Sequence, residues 1–395
     1  MVDLLAARGR MLAEDVVADR DLPPFPRAAR DGYAVRAADI AGASQSSPIL
    51  LKVIGEIPAG VADLPQVIAG QAVAIMTGAP VPHSADAVVM VEHTRRVAQA
   101  SPSSPPPSKC SSRNILVELV RSAQPGENIV PRGAEGLRGA ILLKSGTQLT
   151  PAALALATSA GKAQLKVFAR PRVAVLATGS ELVEVSAQPG AHQIRNSNSY
   201  SLAAQIAEAG AEPGLLGIAP DEPARLRDLI AKGFEADLLL ISGGVSVGRY
   251  DLVEQILGQF EADFFFTGVL IQPGKPLVFG RAKKKYFFGL PGNPVSTLVT
   301  FDLFVRPMID ALAGAQPAPL HFVQARLKSE IKTKTGLTRF LPGLLTGASE
   351  QTEVELIKWQ GSGDLVSAAR ANCYVVIPPD RERIAAGEMI SLLPL

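Results

Sequence analysis

Between residues 172 and 300 the chain alternates short, almost fully apolar runs with stretches of helical period. The apolar runs are VAVLAT (173–178), DLLLI (237–241), VLI (269–271) and KYFFG (285–289). Each ends in a turn rich in Gly or Pro: GSE, SGGVSVGRYD, QPGKP and LPGNPVS. Helical patterns lie in NSYSLAAQIAEAG, EPARLRDLIAKGF, DLVEQILGQF and PVSTLVTFDLFVRPMIDAL. β-Branched and aromatic runs alternating with helices predict an α/β fold, a parallel-type sheet with crossover helices on both faces. Turns at the carboxyl ends of such strands share one edge, and ligands bind there. The four turns, which carry Glu181, Asp251 and Lys275, are therefore expected to meet in one polar crevice.

The flanking segments have a different pattern. Residues 4–36 start as a short strand-like unit and pass into a Pro-rich turn. Within 48–139, the runs ILLKVIGEI, AVAIM, DAVVMVEH and RNILVELV are punctuated by Gly and Pro, which predicts a small all-β module. AQASPSSPPPSK (98–109) is low-complexity and reads as a mobile loop between two of its strands. Residues 140–168 form a connector, with Thr150 as N-cap and Pro151 at the first position of a short helix. Residues 320–395 return to short strands, predicting a small β domain.

A chain of 395 residues exceeds what one core supports, so several domains are expected. A net charge of +2 and 5% aromatic residues argue against a nucleic-acid surface. RAKKK (281–285) reads as the solvated tip of a hairpin. Two cysteines and four histidines, none in ligand spacing, exclude a disulfide framework and a zinc hydrolase. No apolar run nears the ~18 residues of a membrane span, and MVDL lacks a basic signal-peptide start. A soluble, cytoplasmic protein is expected.

Each turn has a bland reading and a chemical one. TGSE (178–181) follows a strand; Glu181 either caps the turn or holds a metal or a ligand hydroxyl. SGGVSVG (242–248) before a helix offers N–H groups to a phosphate, although it lacks the GK[ST] ending of a P-loop. Asp251 reads as the N-cap of DLVEQIL and as a residue able to position a cation beside that loop. Lys275, on a turn stiffened by Pro and Gly, suits an oxyanion, because less freedom is lost on binding. Pro294 and Ser296 open a helix whose first N–H groups are expected to face the crevice. By physics alone RDGY (30–33) is a turn and IMTGAPVP (75–82) a strand exit.

The segments GRMLAEDVVADRDLPPF, DGYAV, AVAIMTGAPVPHSADAVVMVE, PGENIVPRGAEG, ATGSEL, ISGGVSVGRYD, PGKP and LPGNPVS, in this order, resemble the molybdopterin molybdenumtransferase family, the MoeA proteins and the E-domain of gephyrin. The resemblance covers nearly the whole chain. It implies four parts: a connector domain of residues 1–19 and 140–170, an inserted β-rich module (20–139), an α/β molybdopterin-binding domain (171–313) and a C-terminal β-barrel (320–395). It also implies a homodimer whose active site is shared between the α/β domain of one subunit and the inserted module of the other. The implied reaction joins molybdate to adenylylated molybdopterin and releases AMP, with Mg²⁺ as cofactor and no nucleic-acid or membrane partner.

By the same resemblance, Asp31, Thr77, Asp251 and Lys275 would act in catalysis, and Glu181, Asp221 and Asp251 would hold Mg²⁺. The backbone around Gly243, Gly244, Ser246, Val247 and Gly248 would hold pterin and phosphate, with Pro291, Asn293 and Pro294 also on the substrate. Lys275, Ser296, Arg339 and Ser362 would receive the molybdate oxyanion. The chain departs from the family pattern at Gln272, where many members carry a lysine, and at Ala28 and Arg30 before DGYAV. Two alternatives are a molybdopterin adenylyltransferase-like enzyme and a non-catalytic, gephyrin-like scaffold.

Overall fold

In the segment that follows the Pro-rich stretch, apolar side chains alternate between two faces. Tyr33 and Val35 belong to one buried cluster and Ala34 to another, so the strand Gly32–Val35 is covered on both sides. The computed structural model describes residues 1–98, 115–220, 222–244, 252–348 and 351–395. These fall into two units: one of Met1–Glu14, Ser145–Pro151 and Gln164–Leu395, the other of Asp15–Lys144 and Ala152–Ala163.

The second unit is built on a mixed six-stranded sheet. Its order is Ala87–Met90, Gly32–Val35, Gln71–Ile75, Ile49–Ile57, Ile115–Leu119 and Thr94–Ala98. The four apolar runs expected to be strands are strands. DGYAV corrects the sequence reading: Asp31-Gly32 is not an isolated turn but the entry to an inner strand, paired with Gln71–Ile75 on one side and Ala87–Met90 on the other. Gly32 is required there because a Cβ would run into the backbone carbonyl of Val89. Most of the predicted Pro/Ser loop lies outside the described residues, as does Cys110.

The first unit contains the α/β sheet, in the order Glu212–Ala219, Arg172–Thr178, Leu238–Ser242, Lys285–Leu290, Val278–Ala282 and Asp263–Phe266. The first four strands are parallel and the last two antiparallel. Helices cover both faces. Pro223–Gly233 and Leu252–Gln259 bury Leu226, Ile230, Val253 and Ile256 against Leu176, Leu239, Ile241 and Phe287. Asn198–Glu208 and the long helix beginning at Pro294 bury Leu202, Ile206, Phe301, Val305 and Ile309 against Val175, Leu238, Leu240 and Phe288. RAKKK does form a hairpin tip: Lys283 and Lys284, at φ of 48° and 64°, join Val278–Ala282 to Lys285–Leu290.

Two details differ from expectation. The run VLI-QPGKP is not a strand of this sheet. Ile271–Gln272 pairs in parallel with Thr338 and Arg339, outside the α/β domain. The final helix is interrupted: Pro294–Thr300 and Arg306–Leu312 are α-helical, but Phe301–Val305 is a π turn. Pro307 explains it, since proline has no N–H and its ring crowds the carbonyl four residues earlier, which widens the ladder.

The C-terminal part closes into a five-stranded barrel: Thr338–Thr346, Glu353–Leu356, Val323–Leu327, Met389–Pro394 and Cys373–Ile377, with the last strand pairing back onto the first. Among the described residues no helix is long and apolar enough to cross a membrane. Replacing Gly32 by Ala should shift the urea midpoint downward by about 2 kcal/mol of stability, as overpacking against backbone does; an unchanged midpoint would show that Val89 can yield.

Candidate active site

The described residues of all four Gly- and Pro-rich turns open into one crevice of about 1320 Å³. The expected convergence is therefore present, although the third turn arrives on the barrel's strand rather than on the α/β sheet. Thr178, Gly179 and Glu181 come from the first turn, Ser242, Gly243 and Gly244 from the second, and Gln272, Gly274 and Lys275 from the third. Pro291, Asn293, Pro294 and Ser296 come from the fourth, while the barrel adds Leu337, Trp359, Gly361, Ser362 and Leu365.

The turns approach one another closely because they carry no side chains at the crossing points. Gly243 and Gly244 have φ of 91° and 66°, and a Cβ on Gly244 would lie 2.7 Å from Thr178 Oγ1. A Cβ on Gly274, at φ 110°, would lie 2.5 Å from Thr300 Cγ2. Thr178 is 4% exposed, and its hydroxyl has no hydrogen-bond partner among the described residues. Lys275, Arg195 and Glu181 are exposed at the crevice, offering two cations and one carboxylate to a ligand.

Asn198 fastens the second turn to the fourth. Its amide donates to Ser242 Oγ at 2.9 Å and to the carbonyl of Gly292 at 2.8 Å, and Asn196 donates to Ser199 Oγ beside it at 2.9 Å. The fourth turn is also tied to the barrel. Asn293 Nδ2 donates to Ser362 Oγ at 2.8 Å, and the Val295 N–H donates to the Ser362 carbonyl at 2.9 Å. The expectation that this helix start leaves its first N–H groups free is thus corrected: Ser362 takes the one at Val295.

Of the residues named from the sequence, Glu181, Gly243, Gly244, Lys275, Pro291, Asn293, Pro294, Ser296 and Ser362 line the crevice. Arg339 does not. It is 8% exposed and turns its guanidinium to the carbonyls of Lys334 and Leu337. Asp221, Ser246, Val247, Gly248 and Asp251 lie outside the described residues. Among the described residues no three His, Cys, Asp or Glu side chains gather as metal ligands. Sequence reasoning missed Asn198 and Trp359. The dense asparagines of NSNS before a helix were a usable signal for the first; a lone Trp in a β-rich segment gave none for the second.

Asp31 and Thr77 belong to the second unit and meet each other there. The Thr77 N–H and Oγ–H both donate to Asp31 Oδ1, at 2.6 and 2.7 Å. These two bonds hold the exposed Asp31 carboxyl below its ordinary value of 3.8, because both favour the charged form.

A crevice at the carboxyl edge of a doubly covered, mostly parallel sheet, lined by glycine turns and closed on one side by a β-barrel, defines a multidomain α/β protein with a cleft of the kind that holds small molecules. Comparison with known families narrows the class. Residues 1–161 match the MoeA N-terminal region (domain I and II), 174–311 a probable molybdopterin binding domain, and 324–395 the MoeA C-terminal region (domain IV). The chain is 38% identical to the molybdopterin molybdenumtransferase of a Nostoc species, covering 100% of this chain and 88% of that one. It is 35% identical to the Bacillus subtilis molybdopterin molybdenumtransferase, covering 97% and 87%. A solved molybdopterin biosynthesis MoeA protein from Pyrococcus horikoshii superposes with a TM-score of 0.76 at 31% identity, over 100% of this chain and 94% of that one. The chain belongs to the molybdopterin molybdenumtransferase family. It is a transferase of molybdenum cofactor biosynthesis.

Replacing Thr77 by Val should raise the Asp31 pKa toward its ordinary value, as read by NMR titration. The sign follows from the depressed native value: the stability from this pair is complete above the unfolded pKa, about 3.9, and is lost as pH falls through the lower native one. Thr77→Val should therefore reduce the acid-side slope of stability; an Asp31 titration identical in both proteins would refute the pairing.

Proposed function

We propose that this transferase joins molybdate to adenylylated molybdopterin with release of AMP, that Mg²⁺ assists, and that it works as a cytoplasmic homodimer. The observation that carries this reading is the meeting of four turns around Lys275. Backbone turns free of side chains suit a pterin phosphate, and one ammonium held on a stiff turn suits a tetrahedral oxyanion. The Lys275 Nζ would bind and orient molybdate, with Ser296 and Ser362, which line the same crevice, as hydroxyl partners.

The oxygens present suit a hard cation: the exposed Glu181 carboxylate and the Thr178 hydroxyl, which has no hydrogen-bond partner among the described residues, stand on the same turn. Glu181, together with Asp221 and Asp251, would hold Mg²⁺, which when bound neutralises charge on the pyrophosphate of the adenylylated substrate. Asp31, kept anionic by Thr77, would complete the crevice from a second copy of the chain. Matches along the whole chain, including the N-terminal and C-terminal regions, favour this reading over a single-domain adenylyltransferase. A crevice that presents Lys275 and Glu181 to a ligand favours it over a scaffold.

The test is AMP release from adenylylated molybdopterin, measured with and without molybdate and Mg²⁺. AMP should appear only when molybdate is present, and Lys275→Ala should raise the molybdate concentration required by about tenfold or more, the cost of a lost charge-assisted contact. Should the protein instead consume ATP to adenylylate molybdopterin, the reading is wrong.

A further inference from the structure

The crevice draws its lining from both domains. The α/β side presents glycine backbone, Arg195, Asn198, Ser242 and Glu181, the barrel side presents Trp359 with Leu337 and Leu365 beside Ser362, and Lys275 stands on the turn held between them. Trp359 is the one tryptophan of the chain and, among the described residues, the one aromatic side chain lining the crevice. It is half-buried, packed against the barrel core and against the cluster of Ile271, Val295 and Phe340 where the barrel meets the α/β domain.

The backbone on either side of Trp359 is pinned. The Lys358 carbonyl accepts from Ser367 Oγ at 2.9 Å, and the Gln360 N–H donates to Asp364 Oδ2 at 3.0 Å. Asp364 also caps the short helix Leu365–Ala368, accepting from the Ser367 N–H at 3.1 Å. Two residues on, Ser362 is tied to Asn293 and Val295 of the fourth turn. An indole whose neighbouring backbone is fixed in this way loses little further freedom when it contacts a ligand.

The geometry points to Trp359 as a preorganised stacking face for the fused nitrogen heterocycle of the substrate, with the substrate's anionic groups directed to the glycine turns opposite. This inference rests on the reading of the substrate as adenylylated molybdopterin, which carries two such rings, pterin and adenine. Both share the chemistry that an indole recognises: a flat, polarisable π face. An extended ligand would thereby be oriented by a polar end and a planar end, on walls from two different domains.

The experiment uses the full chain. Dissociation constants for AMP and for free pterin are measured by equilibrium dialysis on the wild type, Trp359→Phe and Trp359→Leu, alongside the KM for adenylylated molybdopterin. Trp359→Leu should weaken at least one of these ligands by about tenfold, while Trp359→Phe, which keeps a π face, should stay within about threefold of wild type. Loss confined to AMP assigns adenine to Trp359; loss confined to pterin assigns the pterin. Saturable quenching of the single tryptophan in the wild type should follow the same ligand. The inference is overturned if Trp359→Leu leaves all three constants within about twofold, or if Phe and Leu weaken binding equally, since packing alone would then account for the loss. If the wild type releases no AMP with molybdate, the assigned reaction falls, while the dialysis constants still decide the ring contact.

Discussion

The crevice depends on the seam where the barrel is docked to the α/β domain. After Phe266 the chain leaves the α/β sheet, pairs Ile271–Gln272 with the barrel strand at Thr338 and Arg339, and returns at Val278. The turn that carries Lys275 is thus held by the barrel on one side and the sheet on the other. The seam is sealed by Ile271, Val295, Val299, Phe340, Tyr374 and Leu393. Burying such side chains stabilises by about 1.5–3 kcal/mol each as an upper estimate. The net worth of each hydrogen bond from Asn293 and Val295 to Ser362 is about 1 kcal/mol. Apolar burial therefore supplies the adhesion, and the hydrogen bonds set the register in which the two domains meet.

One polar node crosses the same seam. Asp302, in the π turn, accepts from Gln205 Nε2 at 3.0 Å and from the barrel's Tyr374 hydroxyl at 3.3 Å, with Arg306 Nε at 3.8 Å. Burial pushes the Asp302 carboxyl upward despite these partners, and burial beside Asp302 pushes Tyr374 well upward. A buried carboxylate of this kind adds little net stability, because desolvation offsets what the donors return. Its effect is directional: the hydroxyl of Tyr374 must point at Asp302 Oδ2 to make this bond, which ties the barrel to the helix. The π turn produced by Pro307 contains Asp302, so a local backbone irregularity contributes to a contact between domains.

The sequence was most informative where a pattern had a single structural solution. Three of the four apolar runs that end in Gly- or Pro-rich turns are buried strands of the parallel part of the sheet, and the described residues of all four turns meet. It was least informative where short elements take distant partners. Ile271–Gln272 is too short for periodicity to say which sheet it joins, and the partner lies more than sixty residues away at Thr338 and Arg339. Gly32 read as half of a turn because the local signal of Asp-Gly is a turn; the clash with the Val89 carbonyl that makes it an inner-strand glycine is a tertiary fact. Asp31 and Thr77 became legible through family resemblance, and their hydrogen-bonded pairing supplies a physical reason for naming them together. Arg339 shows the reverse: a cation placed at the molybdate by resemblance turns instead to nearby carbonyls.

A crevice built largely of backbone has a consequence for specificity. Gly179, Gly243, Gly244 and Gly274 all hold positive φ, and at the last three a Cβ would lie within 3 Å of atoms of Thr178, Val253 or Thr300. Backbone N–H and C=O groups can then reach the ligand directly, but they cannot distinguish one anion from another by charge. That discrimination falls to the few side chains left at the rim. Lys275 carries the positive charge that favours an oxyanion, and Glu181 carries the negative charge that would repel the same anion unless a cation lay between them. Their presence on one crevice requires either that anion and carboxylate stay apart or that a metal joins them. Thr178, on the same turn as Glu181, holds a second oxygen there, a hydroxyl with no hydrogen-bond partner among the described residues.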